Sequence, residues 1–161
     1  MMTKWIRYDY KEDEGLFGIV DSDSVEEHDG DLFENPKPTG RKIPLNEVNL
    51  QAPLEPHSIF ALWNNFYERA EKEGQTIPDV PLYFMKPLTS VIGPEKTIFR
   101  PQGHQGRVIF EAELGIVIGS KCKEVSESKA GEYIFGYTCV NDVTAVEFLF
   151  EDKAFHQWTR S

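Results

Sequence analysis

The sequence predicts a mainly β protein with a few short helices, of α+β class, built as a small N-terminal β-rich domain over residues 1–55 and part of a larger domain over 56–161. Three observations predict it. Strand-like runs separated by acidic turns fill the N-terminal third. Two apolar runs, Val108–Ile118 and Ile134–Val140, have the length and composition of buried strands. The helical segments between them are short and strongly charged, so they depend on packing rather than on propensity.

Taken in order, Trp5–Tyr10 and Leu16–Val20 read as strands, followed by a polar stretch, Glu26–Asp31. Pro36, Pro38 and Gly40 set a loop, and Pro44, Pro53 and Pro56 make Ile43–Pro56 an extended connector with the domain boundary near Gln51–Pro56. Ser58–Leu62 reads as a strand, and Asn64-Asn65 as the cap of a helix that ends near Gly74. Along that helix Glu68 and Lys72 form an i,i+4 pair, with Phe66 and Ala70 on the apolar side. Leu82–Met85 and Val91–Ile92 are short strand candidates. Val108–Ile118 is the strongest strand, closed by Gly119. A capped turn from Ser126 to Tyr133 leads into Ile134–Val140, and Thr144-x-x-Glu147 reads as a capping box opening a helix that carries Val146, Phe148, Leu149 and Phe150.

The charge balance removes several function classes. Counting 17 Lys+Arg against 27 Asp+Glu gives a net charge of -10 without a basic cluster, so the sequence predicts no nucleic-acid partner. No apolar run has the length of a membrane span, and the N-terminus lacks a signal-peptide pattern, which predicts a cytoplasmic protein without a membrane partner. Cys122 and Cys139 are expected as free, buried thiols. His57 and His104 are expected at the surface.

The residues that point to chemistry are carboxylates. On a strand, Glu111 and Glu113 share a face, about 7 Å apart at Cα, between Ile109 and Val117, while Phe110, Ala112, Leu114 and Ile116 fill the other face. On a strand buried on both sides, two like charges require a cation or a proton. Asp142 closes the second strong strand, either as a third ligand or as a turn residue ahead of a helix. Three carboxylates without Cys or His nearby describe a hard-cation site, for Mg²⁺ with Mn²⁺ or Ca²⁺ as alternatives, and disfavour zinc.

Five stretches then carry a resemblance: Ile59–Phe66 (IFALWNNF), Pro81–Pro87 (PLYFMKP), Phe110–Gly119 (FEAELGIVIG), Gly136–Ala145 (GYTCVNDVTA) and Gln157–Arg160 (QWTR). In this order they resemble the fumarylacetoacetate hydrolase family, within its bacterial dioate isomerase-like and decarboxylase-like branch. The resemblance implies a mixed β-roll for the second domain, and Mg²⁺ or Mn²⁺ held by Glu111, Glu113 and Asp142. It implies a 2-oxo acid or 1,3-dicarbonyl substrate converted through a metal-stabilised enolate by hydrolysis, decarboxylation or isomerisation, as in aromatic catabolism, in a homodimer.

The sequence departs from the family pattern at two places. Where the resemblance expects a general-base histidine on the short helix, Tyr67, Glu68, Arg69 and Lys72 stand instead, so Arg69 and Tyr67 take the candidate catalytic positions, with Arg69 and Lys86 as candidate ligands of a substrate carboxylate. The resemblance also implies further catalytic domain beyond Ser161, beginning with a lysine. Three readings follow: a metal-dependent enzyme on 2-oxo acids, a family member that binds metal and ligand with weak or lost catalysis, and a structural module whose acidic trio is solvated.

Overall fold

Apolar and polar side chains alternate along the opening residues, a pattern that a half-buried strand satisfies. The computed structural model describes residues 3–155 and places β1 (Trp5–Tyr10) there. β2 (Asp13–Asp21), β3 (Ser24–Asp29) and β4 (Lys37–Pro44) follow, then a 3-10 turn at Leu45–Glu47 and β5 (Asn49–Leu50). They form one antiparallel sheet in the order β4-β3-β2-β1-β5. Its core is Tyr8, Val25 and Ile43, with Ile6, Tyr10, Leu16, Leu45 and Val48 packed against it. Ser22 takes a φ of 56° in the two-residue turn that joins β2 to β3, the left-handed conformation that tight hairpins need. At Gly18 a Cβ would stand 2.8 Å from Val25 Cγ1 and press on the Glu26 carbonyl, so the close pairing of these strands requires glycine.

β3 lies on the stretch expected to be a polar connection, and β4, the 3-10 turn and β5 take up residues expected in loop and extended connector. The reason is an inward-pointing charge. Glu27 is 8% exposed, and its carboxylate accepts hydrogen bonds from Thr39 Oγ1 at 3.0 Å and Arg41 Nη1 at 3.2 Å. Both partners come from β4, and Arg41 also reaches Asp13 on β2 at 3.1 Å, so the neighbouring strand satisfies a group whose polarity looked like loop.

The remaining elements are β6 (Ile59–Trp63), α1 (Tyr67–Glu73), β7 (Leu82–Lys86), β8 (Val108–Ile109), β9 (Ala112–Ile118), α2 (Glu127–Ala130), β10 (Ile134–Asn141), β11 (Thr144–Ala145) and α3 (Val146–Lys153). The fold is thus mainly β with three short helices among the described residues. Two compact units share the chain: the first comprises Met1–Leu54, Ile92–Ile98 and Phe110–Val143, the second Glu55–Val91, Phe99–Ile109 and Thr144–Ser161. In the first, β9 and β10 form an antiparallel pair. In the second, β6 pairs with β7 and β8 with β11, again antiparallel.

Several expectations change. α1 starts at Tyr67 with Phe66 as N-cap and no side-chain cap, so Asn64-Asn65 does not open it; Gly74, at φ 62°, closes it as expected. Ala70 is buried, whereas Phe66 is exposed. A 3-10 turn at Leu88–Ser90 precedes Val91–Ile92, and among the described residues no strand covers that pair. The long strand over 108–118 is two, β8 and β9. Thr144 belongs to β11, α3 starts at Val146, and the capping box is not formed. Cys122 and Cys139 are free but exposed, and His104 is buried at 2% exposure.

The largest correction concerns β9. It is not buried on both sides: Leu114, Ile116 and Ile118 are 67%, 54% and 54% exposed, while Glu111, Glu113, Gly115 and Val117 are half-buried. The alternation is the one expected, but only the face that carries the glutamates is partly covered, and the face of Leu114 and Ile116, expected to be buried as well, is open.

Candidate metal centre

Period-2 alternation puts Glu111 and Glu113 on one face of the chain, and pairing adds the third carboxylate. In the register of β9 with β10, Glu113 lies opposite Val140 and Ala112 opposite Asn141. One step beyond the ladder, the Asp142 N–H donates to the Glu111 carbonyl at 2.9 Å, and the Glu111 N–H donates to Asn141 Oδ1 at 3.3 Å. Glu111 and Asp142 therefore face each other at the end of the hairpin, and Glu113 stands diagonally across from Asp142. Directly opposed residues of an antiparallel pair have Cβ atoms about 5 Å apart and diagonal ones about 7–8 Å. All three carboxylate-bearing positions lie on the same half-buried face.

This donor set, three carboxylates on one face without a soft ligand, fits a hard divalent cation. Among the described residues no three His, Cys, Asp or Glu side chains converge closely enough to hold a metal ion, so the fit rests on backbone placement, and closure around an ion would come from side-chain rotation. Asn141 is an additional residue that the sequence did not single out. Its amide takes the Glu111 N–H that the ladder leaves over, and so fixes the strand end.

The other candidates belong to the second unit. Tyr67 opens α1 and is 69% exposed. Arg69, one turn into the helix, forms an i,i+4 ion pair with Glu73 at 3.1 Å. Lys86 ends β7 with its ammonium 5.5 Å from the Phe84 ring centroid, within cation–π range. His57 is exposed, as expected. The Gln157–Arg160 motif lies outside the described residues.

The model of the fumarylacetoacetate (FAA) hydrolase C-terminal domain matches residues 58–161, and that of an Rv2993c-like N-terminal domain matches 3–53. The chain belongs to the fumarylacetoacetate hydrolase family. An uncharacterized family relative from Archaeoglobus fulgidus is 43% identical over 122 residues, 76% of this chain and 47% of its own length. The crystal structure of a 5-carboxymethyl-2-hydroxymuconate delta-isomerase from Mycobacterium smegmatis matches with a TM-score of 0.84 at 34% identity, over 99% of this chain and 60% of that one. At 22% identity, where only the fold is shared, a maleylpyruvate hydrolase from Sphingobium sp. SYK-6, solved with manganese(II) and pyruvate, matches with a TM-score of 0.67 over 89% of this chain and 59% of its own. The chain spans about half the length of the curated relatives it matches and about three fifths of the solved ones. Solved neighbours above 30% identity include proteins named as isomerases, and the mainly β fold with short helices that was expected is the fold observed. No helix among the described residues is long and apolar enough to cross a membrane.

Proposed function

We propose that this protein is a Mg²⁺- or Mn²⁺-dependent member of the fumarylacetoacetate hydrolase family acting on a 2-oxo acid or 1,3-dicarbonyl compound, with Glu111, Glu113 and Asp142 as the metal ligands. The observation that carries the reading is the shared half-buried face of these three carboxylates at the end of the β9–β10 pair. A divalent cation bound there supplies Lewis-acid stabilisation of charge developing on a substrate oxygen. The chain's own contribution is to hold three anionic oxygens on one side of a strand end, with Asn141 fixing the backbone between them. Arg69 and Lys86 are proposed to bind a substrate carboxylate, and Tyr67 to donate a hydrogen bond. The division into a domain of residues 1–55 and one of 56–161, a homodimer and a cytoplasmic location complete the proposal. Titration calorimetry with Mg²⁺ and then oxalate, a planar dicarboxylate that mimics an enolised 2-oxo acid, tests it. Binding of both, with metal binding lost in Glu113→Ala, is the expected result; absence of metal binding, or binding indifferent to Glu113→Ala, rejects the assignment.

A second reading, metal and ligand binding with weak or lost catalysis, is favoured by one observation. Arg69, at the position of the base implied by the resemblance, is engaged with Glu73, and a guanidinium does not accept a proton near neutral pH. Turnover of an acylpyruvate or of oxaloacetate, abolished by Glu111→Ala, rejects this second reading.

A further inference from the structure

The β9–β10 pair has two unlike sides. One carries Glu113 and Val117 and is half-buried. On the other, Tyr137 lies opposite Ile116 and Cys139 opposite Leu114, and Ile118 continues the row along β9. Every second residue from Ala112 to Ile118 and from Tyr137 to Asn141 stands on that side, and none of them is charged. Leu114, Ile116, Ile118 and Tyr137 are between 54% and 67% exposed, which leaves roughly 500 Å² of mostly apolar surface in water, at the upper end of what a monomer keeps bare.

Charge decides what fits this side. A foreign partner is selected by complementary charge, and here there is none to read. A second copy needs only that the patch complement itself, and a flat strand pair stacks on its equal across a two-fold axis at about 10 Å, as sheets pack in a sandwich. Two chains that each carry a net charge of -10 repel, and an uncharged side is where they approach with least repulsion and without stripping water from an ion. We propose that this side of the β9–β10 pair is the interface for a second copy of the chain, with Ile116 and Tyr137 near the two-fold axis and the glutamate-bearing side left outside the contact. The proposal rests on the homodimer in the reading above and names its interface. Two such patches bury on the order of 1,000 Å² together, the lower limit for a specific interface, so the dimer is weak, with a dissociation constant on the order of 10 μM.

The two free, exposed thiols supply the test, because Cys139 lies within the patch and Cys122 in the connection after β9. Sedimentation equilibrium over a concentration series gives the association, and iodoacetamide alkylation read by mass spectrometry locates it. The expected result is a monomer–dimer equilibrium in which Cys139 alkylation slows by about fivefold at concentrations about tenfold above the dissociation constant, as mass action requires, while Cys122 reacts at an unchanged rate. Ile116→Lys places a charge at the centre of the patch, weakens the dimer by at least about tenfold and restores full Cys139 reactivity. A dimer in which Cys139 stays reactive at every concentration joins through another surface, and it overturns this proposal while leaving the homodimer standing. Association that grows without a dimer plateau also overturns it. A chain that stays monomeric throughout removes the homodimer and its interface together, and leaves the metal-site reading to its own calorimetric test. Should Ile116→Lys fail to fold, the Cys139 rate in the parent protein decides alone.

Discussion

Tyr8 sits at the centre of the N-terminal sheet with no exposed surface, and its hydroxyl has no hydrogen-bond partner. Burial, with the nearby Glu27 charge adding to it, raises the phenol to about 12. An acid whose folded pKa lies above the unfolded one stabilises the fold in its protonated form, so this contribution is complete below the ordinary tyrosine value of about 10 and is lost as pH rises through 12. Tyr8→Phe removes an orphaned polar atom and keeps the ring. The variant is expected to be at least as stable as the parent at neutral pH, by up to about 1 kcal/mol, and to lose less stability on going to high pH, as read by urea unfolding at several pH values. Glu147 shows the opposite sign. Desolvation raises its pKa, but hydrogen bonds from its own backbone N–H, His104 and Arg107 outweigh it and hold the carboxyl below the usual glutamate value. Its contribution is present above that value and is lost as pH falls through the lowered one. A carboxyl-carbon NMR titration is expected to show Glu147 protonating at lower pH than an exposed glutamate, with the difference reduced in His104→Leu. Neither environment was legible in the sequence. His104 and Glu147 are 43 positions apart, and nothing local to either announces the other.

At the scale of elements, the clearest sequence signals were those that a single strand or helix imposes on itself. The alternation at Glu111 and Glu113, the β1 strand and the Gly74 helix stop depend on neighbours within a few residues, and all are present. β3 was missed because its inward Glu27 has the polarity of a loop residue until Arg41 and Thr39 arrive from β4. The β2–β3 pair makes a test of its own. Gly18→Val would force a branched side chain against the Glu26 backbone and Val25, and is expected to cost about 1–3 kcal/mol in chemical denaturation. The capping box failed for a different reason. Thr144 was drawn into pairing with Ile109, and Glu147 found a better partner in His104, so a local motif gave way to the ladder and to this contact.

Across the whole molecule, the apolar surface is the dominant physical fact. On the β6–β7 pair, Phe60 and Met85 face each other, as do Leu62 and Tyr83, and the four are between 52% and 69% exposed. On the β9–β10 pair, Leu114, Ile116 and Ile118 are open. A two-stranded pair with a bare apolar face is marginal in water, and contiguous apolar patches drive association. The 161-residue chain is therefore expected to self-associate and to bind a hydrophobic dye, both reduced by Leu114→Lys with Ile116→Lys, as measured by light scattering and dye fluorescence. Sequence by itself determined the carriers of the proposed chemistry: a strand with two glutamates on one side, an aspartate at the end of the next, and the family motifs around them. It could do so because periodicity and short motifs are properties of contiguous backbone. Tertiary structure alone decided which face of β9 is covered, that Asp142 stands opposite Glu111, and that a histidine expected in solvent is buried against Glu147. Those outcomes depend on partners distant in the chain, whose packing and hydrogen bonds no local pattern encodes.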